Sequence, residues 1–204
     1  GADQKAWFKK VLSESDAVWK CWLNSVPLMP MRIDLENVRP DGVPTVFTID
    51  TWEGYPAERK ELMDFVVEKK IENLVSLVGD HHNNFAGVVY RDFDAETPHY
   101  IGPEFAVCGI SSMSVWHALN AFVEKDDPFR PLVAFEHAGQ TINTLNCTFL
   151  HGSRASAAAT QAGAGDNLAA ASRAAAQNRN PAHNRHLRYV DSSAYGIGVA
   201  VFDG

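Results

Sequence analysis

Gly79-Asp80-His81-His82-Asn83-Asn84 places one carboxylate and two imidazoles directly after the apolar run Leu74-Val75-Ser76-Leu77-Val78. A carboxylate is a hard oxygen donor and an imidazole a nitrogen donor, so the chemistry such a loop suits is metal coordination. Along an extended segment, side chains at i and i+2 share a side and immediate neighbours oppose one another. Asp80 and His82 are therefore the pair able to meet one ion, and His81 points away from them. Two protein ligands leave a site incomplete, because catalytic zinc uses three and two-metal hydrolytic sites use more. The plain alternative has Asp80 capping a turn and both histidines as surface polar groups.

The elements around that loop are legible in outline. Residues 74–78 read as a strand covered on both faces. Before it, residues 56–70 read as a helix with Pro56 at its first position, Glu58 and Glu61 in its early turns and Lys69 and Lys70 at its end. Leu62, Phe65 and Val66 form its buried stripe. The chain opens with a helix that Asp3 can cap and that carries Trp7, Phe8, Val11 and Leu12 on one face; residues 17–24 follow as a strand. Residues 25–44, with four prolines, read as a long irregular connection. Residues 85–90 and 105–108 are further strands, expected as a meander.

Twelve of the 22 residues from 155 to 176 are alanine. The first part of that tract, interrupted by Gly163 and Gly165, is expected to be loose, and the second to be a helix capped by Asp166 or Asn167 and running to about Gln177. Residues 186–190 and the alternating residues 195–202 suggest a terminal hairpin. Strand, helix and strand in alternation give an α/β fold.

Composition limits the function classes. The chain has 204 residues, 46% of them hydrophobic, the size of a single domain over 1–204, with residues 154–180 as an alanine-rich insertion within it. A net charge of −7 argues against broad attraction to nucleic acid or anionic lipid, so no nucleic-acid scaffold role is expected. No stretch approaches the roughly 18 apolar residues that span a bilayer. Cys21, Cys108 and Cys147 have no metal-finger spacing, and the apolar surroundings of Cys108 argue against a nucleophilic thiol with His82 or His99 as base. Ser111-Ser112 lacks the elbow of a serine hydrolase. The rival class is a non-catalytic binding module that uses Trp52, Tyr55 and His82 on its loops.

Four ordered blocks also carry a resemblance. Asp50-Thr51-Trp52-Glu53-Gly54-Tyr55-Pro56-Ala57-Glu58-Arg59, followed by the segment from Asn73 to His82, resembles the D-x-W-D-G-Y-P-x-x-R and N-x-V-x-L-x-G-D-x-H segments of PhoD-like alkaline phosphatases and phosphodiesterases. The stretch from Pro103 to Ser112 is similar to that family's E-F-V-x-x-S-I-S-S segment, and His186-Leu187-Arg188-Tyr189-Val190-Asp191 to its H-L-R-Y-V-D segment. The opening, with Trp7-Phe8, Leu12, Ser15 and Trp19-Lys20, resembles its first helix and strand.

The resemblance implies part of a metallophosphoesterase-like αββα sandwich with a mixed sheet, acting on phosphate mono- or diesters with metal ions, iron and calcium in that family. Carried over by position, Asp80 becomes a metal ligand and His82 a metal or phosphate contact, both catalytic. His81 falls at the variable position and is a bystander by default. Asp50, Arg59, His81 and His186 remain candidates for substrate or supporting contacts. At the Asp50 block the structural reading leads: Trp52 and Tyr55 pack, Arg59 pairs with a carboxylate, and Glu53 replaces the family's Asp. His186 is open between the pocket mouth and a hydrogen-bonded structural role. The family's G-D-x-x-x-D and N-H-E segments are not in this sequence, and Gly1-Ala2 reads as a cloning remnant. The expectation is therefore the C-terminal half of a longer exported enzyme, periplasmic or extracellular, with the N-terminal half as partner and little activity alone.

Overall fold

The computed structural model describes residues 1–35, 45–163 and 167–203. Helix α1 (Ala2–Glu14) leads into β1 (Lys20–Asn24); β2 (Arg32–Ile33) and β3 (Thr45–Val46) pair as an antiparallel ribbon. A 3₁₀ turn at Trp52–Gly54 precedes α2 (Pro56–Glu68), followed by β4 (Leu74–Val78), β5 (Asn84–Tyr90) and β6 (Tyr100–Ala106). Then come α3 (Val115–Phe122), the short α4 (Arg130–Val133), the ribbon of β7 (Ala134–His137) and β8 (Gln140–Asn143), α5 (Leu145–His151), α6 (Ser153–Gly163), α7 (Leu168–Gln177) and β9 (Leu187–Asp191).

The fold is mixed α/β, built on a five-stranded mixed sheet of order β1-β4-β6-β5-β9. β1, β4 and β6 run parallel, and β5 pairs antiparallel with both β6 and β9. Register alternation sorts the side chains into two faces. Trp22, Ser76, Glu104 and Gly87 stand in a row on one face, over the core formed with Leu12 of α1, Leu62, Met63 and Val66 of α2, and Leu145 and Phe149 of α5. Leu23, Leu77, Phe105, Ala86 and Tyr189 form the opposite row. Leu23 is 78% exposed there.

Several sequence expectations need correction. Asp3 does not cap α1: the N-cap is Gly1, without a side-chain cap bond. In α2, Pro56 does occupy the first turn, but Met63 joins Leu62 and Val66 in the core and Phe65 is only half-buried under Lys9 of α1. The connection at 25–44 contains β2, and its residues 36–44 lie outside the described residues. β5 and β6 pair antiparallel as neighbours, as the expected meander requires, and β4 lies beside β6. β6 also begins earlier than expected, with Pro103 inside it. That position is tolerated because pairing with β4 starts only at Glu104, so the missing N–H interrupts no bond there.

The first part of the alanine tract is not loose: it is α6. Ala155, Ser156, Ala159 and Gly163 are its buried face, and Gly163 sits so near the Phe135 ring that a Cβ would lie 2.5 Å from it. Small side chains let helices pack closely, and that contact outweighs the glycine's propensity cost. Asn167 caps α7 as expected, accepting from Ala170 N–H; Asp166 lies outside the described residues. The terminal hairpin does not form. β9 pairs with β5 instead, and residues 195–202 carry no strand. This tail crosses the face of Leu77, Phe105 and Tyr189, bounding a groove of about 470 Å³. A Cβ at Gly198 would lie 2.5 Å from Val107 Cγ2, so glycine permits the close approach. At the far end Phe202 packs on Trp19, whose Nε1 donates to Asp203 O.

Candidate functional site

β4 is an inner parallel strand, and side chains leaving its carboxyl end emerge over a rigid base, where ligands gather in open α/β sheets. Gly79 follows Val78, and the chain then turns sharply: His81 N–H donates to Gly79 O at 2.7 Å. Asp80 and His82 both adopt left-handed backbone, with φ 64° and 54°. Asp and His are among the non-glycine residues most tolerant of that region. Asp80 and His82 are exposed, whereas His81 and Asn83 between and after them are buried. The loop thus presents one carboxylate and one imidazole outward and folds the other two side chains beneath.

His82 is held at two points. Its Nδ1 lies 2.7 Å from Met113 O, and its own carbonyl accepts from Val115 N–H at 3.1 Å. Asn84 ties the next strand to the same rim, donating through Nδ2 to Ala194 O and accepting from Cys108 N–H. Trp116 N–H donates to Ser192 O, and Asp191 Oδ1 accepts from the N–H groups of Ser193 and Ala194. Segments 79–84, 108–116 and 191–194 are therefore sewn into one rim. Sequence reasoning did not find Asn84, Met113 or Asp191 as parts of it. Asn84 followed the histidines in plain view, but a main-chain carbonyl partner such as that of Met113 leaves no side-chain signature.

His81 is 8% exposed, with its ring 5.7 Å from those of Phe47 and Phe85. Burial pushes its imidazole down to about 4, so it is neutral in the folded protein. Neither ring nitrogen, and neither polar atom of the Asn83 carboxamide, has a hydrogen-bond partner among the described residues.

Asp50 has an exposed side chain and its N–H donates to Thr48 Oγ1. Arg59 donates to Glu53 Oε2 at 2.7 Å and Leu28 O at 3.0 Å, and Glu53 also bonds Arg32. Trp52 is packed against Trp22 and its Nε1 donates to Asn24 Oδ1. Tyr55 does not pack: it is 66% exposed, because it lies at the boundary of the 3₁₀ turn and α2 and faces away from the core. His186 is 3% exposed with Nε2 2.7 Å from Pro30 O, a structural placement away from solvent. Cys108 is buried and its thiol is pushed up by that burial, which disfavours the thiolate a nucleophile needs.

Asp80 and His82 offer donor types suited to a metal ion, and both are exposed on one loop. Their number falls short of a full ligand set, and among the described residues no group of three or more His, Cys, Asp or Glu gathers as one could around an ion. Among the described residues, no helix is long and apolar enough to cross a membrane.

Residues 1–147 match the family model of the PhoD-like phosphatase. The chain is 29% identical over 112 residues to alkaline phosphatase D of Bacillus subtilis (strain 168), an alignment covering 55% of this chain and 18% of that protein. It is also similar to a solved structure described as "Structure of PhoD", with 28% identity, a TM-score of 0.48 and coverage of 55% of this chain and 20% of the other. In both cases the matched stretch is about a fifth of the relative's length.

Proposed function

The chain belongs to the PhoD-like phosphatase family, and from that premise we propose that it supplies Asp80 and His82 to a metal-dependent site hydrolysing phosphate mono- or diesters. The observation that carries this reading is the exposed Asp80–His82 pair at the carboxyl end of β4, with His82 held by Met113 and Val115. When bound, metal ions, iron and calcium in this reading, would supply charge neutralisation at the phosphoryl oxygens and an acidified water. Asp80 contributes a hard oxygen and His82 a nitrogen. The further ligands come from sequence that corresponds to the unmatched four-fifths of the relative, which acts as partner to this chain. Residues 1–204 act as one unit in that enzyme, with the alanine-rich helices between α5 and β9 as an insertion, and the enzyme is exported to the periplasm or the extracellular space. Arg59, bonded to Glu53 and Leu28 O, and His186, bonded to Pro30 O, support the fold around the site rather than touch the ester.

The test is turnover of 4-nitrophenyl phosphate and bis(4-nitrophenyl) phosphate by a full-length protein carrying this sequence, with bound metal measured on the same samples. Asp80→Asn and His82→Ala are each expected to lower kcat/KM at least about 100-fold, while residues 1–204 alone turn over neither ester. Full activity in either variant, or full-length efficiency from 1–204 alone, would overturn the proposal.

A further inference from the structure

Accepting the reading of His82 as a working residue, we infer that the amino end of α3 is a lock that fixes the tautomer of His82 and presents its Nε2 lone pair outward. A carbonyl oxygen only accepts hydrogen bonds, so at 2.7 Å from Met113 O the Nδ1 atom of His82 must carry the hydrogen. Nε2 is then the unprotonated nitrogen of the neutral ring. A free imidazole side chain favours the opposite form, with hydrogen on Nε2, and that form would have no lone pair to offer at the exposed edge. The hydrogen bond made by one ring nitrogen decides what the other can do.

The lock has a frame. Val115 N–H donates to His82 O at 3.1 Å, so residues 113 and 115 grip the side chain and the main chain of the same residue, which itself sits at φ 54°. Ser114, between them, is fully buried. Its Oγ caps α3 by accepting from His117 N–H and lies 2.7 Å from His117 Nδ1. The next residue, Trp116, is fixed at both its N–H, to Ser192 O, and its Nε1, to Val133 O. The carbonyl of Met113 thus projects from a helix start that cannot turn without breaking contacts on both sides. Met113, Ser114 and Val115 are positioning residues: they act through His82.

The experiment is long-range ¹H–¹⁵N correlation on residues 1–204 labelled with ¹⁵N-histidine, recorded at about pH 8, above the ordinary imidazole range. His82 is expected in the form protonated on Nδ1. Ser114→Ala, which removes the cap, is expected to shift His82 toward a mixture with the Nε2-protonated form, and Ser114→Thr to restore the wild-type pattern. Val115→Pro tests the frame without relying on the cap. Proline suits the first helical position, and Ser114 already has the extended backbone, φ −70° and ψ 158°, required of a residue before proline. The substitution deletes the N–H that holds His82 O, replaces a side chain packed on the edge of the core by a ring of similar volume, and is expected to give the same shift toward mixed tautomers. A wild-type His82 protonated on Nε2 would overturn the lock, as would an unchanged Nδ1 signal in both Ser114→Ala and Val115→Pro. This outcome is separate from the phosphatase reading, which fails instead if His82→Ala leaves ester turnover intact.

Discussion

At the scale of single residues, Glu53 is the hinge of the Asp50 block. It is about one-tenth exposed and bonds both Arg32 and Arg59, and Arg59 is equally buried over the Phe93 ring. Removing Arg59 leaves Glu53 with Arg32 as its remaining guanidinium partner and takes the donor from Leu28 O, a loss of about 2 kcal/mol. Arg59→Ala is expected to lower unfolding free energy by that amount in urea titration. Arg59→Lys recovers only part of it, because a lysine cannot serve Glu53 and Leu28 O with one planar fork.

His186 sets a pH dependence. Burial pushes its imidazole from 6.5 to about 3. Between those values the unfolded chain takes up a proton that the folded one refuses. The stability is full above about pH 6.5 and falls as pH drops, by up to about 1.4 kcal/mol per unit, until about pH 3. His81 acts in the same sense over a narrower range. Urea midpoints measured from pH 7 to 5 should fall steadily, and His186→Gln should flatten the slope even where it lowers the plateau.

The residue pattern showed much of this in advance and missed the rest for identifiable reasons. His81 is buried while Asp80 and His82 are exposed, as alternation suggested, but the backbone there is a tight turn with Asp80 and His82 in the left-handed region and not a continued strand. The partner of Arg59 was expected as a carboxylate, and Glu53 six residues earlier is that carboxylate. The packing of Tyr55 was wrong because a 3₁₀ turn rotates side chains by a different angle from a helix.

At the scale of elements, the seam between β4 and β6 is closely packed at Gly102. A Cβ on Gly102 would lie 2.0 Å from Leu74 O, a main-chain atom that cannot yield without parting the strands. Gly102→Ala is expected to destabilise by at least about 2 kcal/mol. Gly79→Ala is the matched control, since a Cβ there meets nothing within 4 Å and its stability should stay at the wild-type value. Asn167→Ala removes the side-chain cap bond at the start of α7 and should cost about 1 kcal/mol with a small loss of helical circular dichroism.

α2 and β4 were read almost to the residue because periodicity and end signals agreed there. α6 was missed because glycine and serine in an alanine tract look loose until the neighbour that needs them small, Phe135 on β7, is in place. The tail looked like a strand because alternation reports two faces, not a hydrogen-bonded partner.

At the scale of the whole molecule, the tail contributes little to the core. Ile197, Val199 and Val201 are 82%, 84% and 78% exposed, so they remain largely in water. Phe202→Ala is expected to leave the global urea midpoint nearly unchanged while shifting Trp19 emission to longer wavelength, because the ring that shields that indole is lost. A large fall in the midpoint would show that the tail belongs to the cooperative unit.

The strand order has a consequence for how the chain is made. β5 pairs with β9 across more than a hundred residues of sequence, Asn84 with Asp191. As the polypeptide leaves the ribosome, the β5–β6 hairpin therefore waits with one edge open while α3 to α7 are still being synthesised. Closure of so long a loop is slow, and an open edge captures whatever strand meets it first. Refolding yield from denaturant should accordingly fall as protein concentration rises, and a nascent chain stalled before residue 187 should be the species most dependent on a chaperone.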